Sequence, residues 1–207
     1  MGYATALNTS LCRCTALSAF SLLAVNAAPV SADYGSAMFV VGRVSVIEHS
    51  GEKRTLEKGT QVHSGDVVRT SAGARVQLHF ADGTLISLAP ESELGIDAFR
   101  YGGVAAGRDT AFFTLYRGRA RFLIGAIGKL PGGRFRATTA VAILEAESGA
   151  FAATVGDGLQ LSVRLGRVNL HNDRGVLDVR AGERAFVSNR ITPPYLVGTA
   201  VPYRIAP

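Results

Sequence analysis

Apolar residues in this chain come in short runs, and the runs alternate. Val76, Leu78 and Phe80 share one side of an extended segment while Gln77 and His79 take the other, the period-two pattern of a strand with one buried face. Asp82-Gly83 follows, and the apolar pattern resumes from Thr84 to Leu88. Two such runs around an Asp-Gly pair predict a hairpin. Arg119 to Ile124 reads as a strand with arginine on one face. Leu159 to Leu165 reads as another, behind a second pair, Asp157-Gly158. The runs recur at the ~8–12-residue spacing of sandwiches, barrels and β-helices. No window sustains a helical period with caps at both ends. The pattern predicts an all-β chain of short strands, β-helix-like or β-sandwich-like.

A weak internal repeat lies over this pattern. Gly42-Arg43-Val44 opens one unit, with glycines following at Gly51 and Gly59. Gly166-Arg167-Val168 opens another, followed by Gly175 and Gly182, and Gly118-Arg119-Ala120 is a degenerate third start. Such self-similarity suits coils stacked on one another. Chance recurrence competes with it in a chain holding 24 glycines. Arg100 to Asp109 and Gly125 to Arg134 are Gly-rich and expected as loops. Pro193, Pro194, Pro202 and Pro207 mark residues 191–207 as an extended tail lying along the domain.

Composition places the chain among globular proteins: 207 residues, 47% hydrophobic and 18% charged. Residues 1–32 have the form of a secretory signal peptide. Arg13 is their sole charged residue, and Thr15 to Val25 is apolar but shorter than the ~20 residues a spanning helix needs. Val30-Ser31-Ala32 supplies the small residues a signal peptidase reads, so cleavage is expected before Asp33. Left uncleaved, the same segment would be an anchor. Residues 33–190 then form one domain, and no later segment reaches transmembrane length. Cys12 and Cys14 both fall in the leader. The mature chain therefore has no disulfide, cysteine nucleophile or thiolate metal site.

The net charge of +6 is carried almost wholly by arginine, with lysine only at 53, 58 and 129. It suits an anionic partner or a solvated surface, and export disfavours nucleic acid. No catalytic, cofactor or metal constellation stands out. His49, His63, His79 and His171 lack ligand spacing. Ala146-Glu147-Ser148-Gly149-Ala150 echoes a nucleophile elbow but has alanine at both glycine positions and β-like sequence after it. Gly128-Lys129 lacks the rest of a phosphate loop, and Glu145 with Glu147 reads as a solvated strand face.

Gly65-Asp66-Val67-Val68-Arg69-Thr70 resembles the G-D-x-[VI]-x-T signature of FecR-type sensor domains. Ala74 to Leu78, Phe80 to Thr84 and Leu88 to Ser92 follow at that family's spacing. Leu115-Tyr116-Arg117-Gly118 with Arg121-Phe122 resembles its L-x-x-G-x-x-R-F stretch. The likeness runs from Val40 to about Phe122 and more weakly from Phe135 to Val187. It departs where the family often has T-P-x-A-x-x-x-x-R-G-T-x-F: Thr138-Thr139 stands in the Thr-Pro place, and Leu144 to Phe151 lacks the Arg-Gly-Thr core. The motif residues Gly65, Asp66, Thr70, Asp82, Gly83 and Gly118 read physically as turn and strand-end architecture.

The resemblance implies a periplasmic sensing or protein-interaction module rather than an enzyme. Family regulators carry a cytoplasmic arm that relays an outer-membrane signal to a sigma factor. Only about 14 residues precede the apolar run here, so that arm is not expected. The partner is then a protein of the cell envelope. The alternative is an anionic cell-wall glycan or surface polysaccharide held by Arg117, Arg119, Arg121, Arg134 and Arg136. Arg117, Arg119 and Arg121 are two apart and expected on one side of a strand.

Overall fold

The computed structural model of the chain describes Gly2 and residues 33–102, 109–132 and 134–199. Apart from Gly2, the expected leader lies outside the described residues, as do 103–108 and 133 of the two expected loops and 200–207 of the tail. Sixteen strands form among the described residues. They are β1 (Tyr34–Val41), β2 (Val44–Ile47), β3 (Lys53–Thr55), β4 (Gln61–His63), β5 (Val67–Thr70), β6 (Arg75–Phe80), β7 (Leu85–Leu88) and β8 (Glu93–Arg100). Then come β9 (Thr110–Leu123), β10 (Arg134–Thr138), β11 (Ile143–Glu145), β12 (Gly149–Val155), β13 (Leu159–Asn172), β14 (Gly175–Arg180), β15 (Glu183–Val187) and β16 (Tyr195–Thr199). A single 3-10 turn, Ile127–Lys129, interrupts them. The chain is all-β.

The strands lie in two layers. Layer one runs β4-β1-β6-β7-β9-β12-β13-β15-β16. Layer two runs β3-β2-β5-β8-β9-β10-β11-β13-β14. Two strands of 14 residues each, longer than the sequence runs suggest, belong to both layers. β9 pairs in layer two up to Arg117 and in layer one from Gly118. β13 pairs in layer one up to Gly166 and in layer two from Arg167. The pairings are antiparallel except β9–β10. This excludes parallel coils and leaves the sandwich-like alternative.

The glycine-arginine repeat has a structural meaning other than coil starts. Gly42 lies between β1 of layer one and β2 of layer two, and Gly118 and Gly166 lie where β9 and β13 change layers. Their φ angles are +72°, +81° and +77°. Each Gly-Arg pair is a crossing between layers, turned by a backbone conformation that a Cβ disfavours.

The inward faces meet in one continuous core. Phe80, Phe122 and Phe151 from layer one interleave with Phe99, Phe113 and Phe135 from layer two. Ring centroids are 4.8 Å apart for Phe80 and Phe99, 5.1 Å for Phe80 and Phe113, and 5.9 Å for Phe122 and Phe135. Burying each such ring contributes roughly 1.5–3 kcal/mol, so aromatic interleaving is a main reason the layers close. The predicted hairpin is β6–β7: Val76, Leu78 and Phe80 are buried and His79 is exposed. After Pro193-Pro194, β16 adds to layer one along β15.

Candidate functional site

The motif residues sit in tightly bonded corners. Thr70 ends β5, and its hydroxyl donates to the Ala89 carbonyl at 2.7 Å while accepting from Ser92 N–H at 2.9 Å. The Ser92 hydroxyl in turn accepts from Arg119 N–H at 2.9 Å and lies 3.2 Å from the Arg119 carbonyl. This chain of bonds ties the ends of β5 and β7 to the bend of β9. Asp66 is buried and accepts from His63 N–H at 2.9 Å. Asp82 is buried and accepts from Thr84 N–H at 2.9 Å, the Thr84 hydroxyl at 2.8 Å and Ile127 N–H at 3.3 Å. These carboxylates face backbone and Thr84, with the Arg54 guanidinium 4.0 Å from Asp66, which is the geometry of a fastened turn.

The five arginines singled out in the sequence occupy three places. Arg119 and Arg121 point outward from layer one, opposite buried Ala120 and Phe122. Arg117 precedes the bend at Gly118 and belongs to layer two, where its Nε lies 3.2 Å from Glu93. The expectation that all three share a face is corrected by that bend: a change of layer breaks the period-two rule. Arg134 and Arg136 stand on β10 in layer two, with their guanidinium carbons 5.4 and 4.2 Å from the centre of the Phe112 ring. Arg134 also borders a cleft of about 450 Å³ shared with Glu145, Glu147 and Arg167.

A model of the FecR protein family matches residues 66–169. The chain belongs to the FecR family. No curated protein matches it. Two crystal structures of a "putative anti-sigma factor" from Parabacteroides distasonis ATCC 8503, at 2.50 and 1.65 Å resolution, share the fold. Each has a TM-score of 0.52, at 19% and 17% identity. Each match covers 64% of this chain, which spans 59% of the length of either relative.

The segment matched to the FecR family begins at Asp66 and ends in the layer-two half of β13. It takes in the corners at Thr70, Asp82 and Gly118. It leaves out β15 and β16, and these bring in residues that the sequence pattern did not single out. Arg184 and Phe186 of β15 and Tyr195 of β16 join Arg119 and Arg121 around an open groove of about 550 Å³. Arg184 is exposed, and Tyr195 is half exposed with its ring 5.9 Å from that of Phe186. Only strand register places these side chains beside β9, since more than 60 residues separate them in sequence.

The outward side of layer two carries balanced charge. Glu93 pairs with Arg69 and Arg117, Asp178 with Arg167 and Arg180, and Glu145 lies 3.7 Å from His171. Asp97 of β8 has its carboxyl pushed above 3.8 by burial, opposed by the Thr114 hydroxyl that donates to it at 2.7 Å and by the Arg136 charge. No group of three metal-ligating side chains comes together among the described residues, and no described helix is long and apolar enough to cross a membrane.

Proposed function

We propose that this FecR-family chain is an exported module of the bacterial periplasm that senses or relays by docking a protein partner and catalyses no reaction. Export is supported by the leader pattern, with its short apolar run and Val30-Ser31-Ala32 before Asp33. A non-catalytic role is supported by the buried motif carboxylates, Asp66 and Asp82, which are occupied by turn hydrogen bonds.

The observation that carries the docking reading is β14. It is six residues long and pairs with β13 alone among the described residues. Its other side offers backbone N–H and C=O groups to an incoming strand. Val176, at 74% exposure, adds an apolar handle beside that edge. The other edges are shorter: β3 and β4 are three residues each and β16 is five, against six for β14.

The test is a photo-cross-linking residue placed at position 176 of the full chain in living cells, with the same probe at exposed His79 as control. The expected result is one discrete protein adduct in the periplasmic fraction from position 176 only, and a processed mass beginning at Asp33. No adduct, equal adducts from both positions, or a chain confined to the cytoplasm would overturn the reading.

A further inference from the structure

We propose that the outward face of layer one binds an anionic polysaccharide. Arg119, Arg121 and Arg184 would take its carboxylate or sulfate groups, and Phe186 and Tyr195 would flank its sugar rings. This goes beyond protein docking at β14, which lies in the other layer.

The first observation is a segregation of charge. Every ion pair among the described residues lies in layer two or in the loops at its rim. The outward positions of β6, β7, β12 and β15, and of the layer-one halves of β9 and β13, hold no Asp or Glu. Glu183, at the head of β15, has its carboxylate on Arg180 N–H at 2.7 Å. Among the described residues, Arg119, Arg121 and Arg184 thus have no carboxylate within 4 Å. Cations exposed side by side on a sheet repel one another unless water or an anion screens them. An arginine fork suits a planar carboxylate or a sulfate.

The second observation is the order of side chains across the strands. One row reads Ser87, Arg121, Ala152, Ser162 and Arg184. The next reads Arg119, Thr154, Gln160, Phe186 and Tyr195. Arg121 and Arg184 stand three strand spacings apart, about 14 Å at ~4.8 Å per strand. Ser162 lies between them, and Thr154 and Gln160 lie in the next row between Arg119 and Phe186; these hydroxyls and the amide can bond to sugar hydroxyls. Arg119 is held in place by its Nε–H donating to the Thr154 hydroxyl at 3.1 Å. The Phe186–Tyr195 pair walls one end of the groove. Separated anion grips, a polar floor and an aromatic wall fit a chain of charged sugars. They fit a nucleic acid less well, since stacked bases need aromatic platforms repeated along the groove.

The test uses the full-length exported protein and four probes: polygalacturonate, neutral dextran, polyglutamate and single-stranded DNA. Polygalacturonate is expected to bind in low salt, weaken more than tenfold by 0.3 M salt as charge pairs are screened, and bind better than the other three. Arg121→Ala with Arg184→Ala is expected to lose at least tenfold affinity at an unchanged melting temperature. Arg117→Ala with Arg134→Ala, in layer two, is expected to stay within twofold of wild type. Tyr195→Ala is expected to weaken binding of polygalacturonate but not of polyglutamate. The proposal is overturned by absent polygalacturonate binding, by equal binding of wild type and the Arg121/Arg184 variant, or by polyglutamate or DNA binding as tightly as polygalacturonate. If the double variant melts early, Arg121→Gln with Arg184→Gln replaces it under the same criteria. Because β14 is untouched in these variants, the cross-link at position 176 reads protein docking separately.

Discussion

Gly118 packs against Ser92 with no room for a side chain: a Cβ at Gly118 would stand 2.6 Å from Ser92 Cα and closer still to its hydroxyl. The contact sits where β9 leaves layer two for layer one. It lets Ser92 bond the Arg119 backbone and lets the strand turn without breaking its pairing on either side.

Gly118→Ala is therefore expected to destabilise the chain by about 2–5 kcal/mol, combining strained backbone with overpacking. Gly83 is the control. Its φ of +85° is similar, but a Cβ there meets nothing within 4 Å. Gly83→Ala is expected to cost about 1–2 kcal/mol, the backbone part alone. Urea melts of the two variants measure the difference. Equal midpoints would mean that the Ser92 contact yields cheaply.

Thr70→Val keeps the shape of Thr70 and removes its hydroxyl. Ser92 N–H and the Ala89 carbonyl would each lose a partner next to the core. The expected loss is about 1–3 kcal/mol, the cost of leaving such groups unpaired. Thr70→Ser, which keeps the hydroxyl, is expected to recover a good part of it in the same denaturation experiment.

The hairpin of β6 and β7 was legible because its alternation is unbroken from Val76 to Phe80 and an Asp-Gly turn follows. The change of layer at Gly118 was not. The buried positions of β9 change phase across Gly118, odd-numbered through Leu115 and even-numbered from Ala120, and carrying the Ala120–Phe122 alternation back through the glycine groups Arg117 with Arg119 and Arg121. The Gly-Arg repeat was visible as a pattern, but its role as a layer crossing depends on which strands pair, and sequence periodicity carries no pairing information. The same gap hid Arg184, Phe186 and Tyr195. Each sits on a short strand of ordinary alternation, and only register across β12, β13 and β15 brings them to Arg119 and Arg121.

Asp97 gives the fold a pH dependence whose sign is set by burial. Its folded carboxyl titrates above 3.8, so the folded state holds a proton over a range where the unfolded chain has released it. Stability from this group falls as pH rises from 3.8 to the raised value and is then constant. Asp97→Asn removes the dependence and leaves an acceptor for the Thr114 hydroxyl. The variant is expected to gain stability relative to wild type as pH rises through that window and to keep the gain at neutral pH. Urea midpoints from pH 3.5 to 7 check it. A difference that shrinks with rising pH would show that the Arg136 charge outweighs burial.

Glu93 is the shared acceptor of a three-residue network, bonded to Arg69 at 2.7 Å and to Arg117 at 3.2 Å. The two arginine side chains are 43% and 65% exposed, whereas Glu93 is only 14% exposed. Arg117→Ala leaves Glu93 paired with Arg69, so the expected loss is below about 1 kcal/mol, as for exposed ion pairs in general. Glu93→Ala removes both pairs and leaves Arg69 and Arg117, on the two strands that flank β8, with no anion between their like charges. Its cost is expected to exceed that of Arg117→Ala and of Arg69→Ala, and to shrink in 0.5 M salt as the repulsion is screened. Melting temperatures of the three single variants at low and high salt measure this order. If Arg117→Ala proved as costly as Glu93→Ala, Arg117 would have to act through its aliphatic stem packing near the β9 bend rather than through its charge.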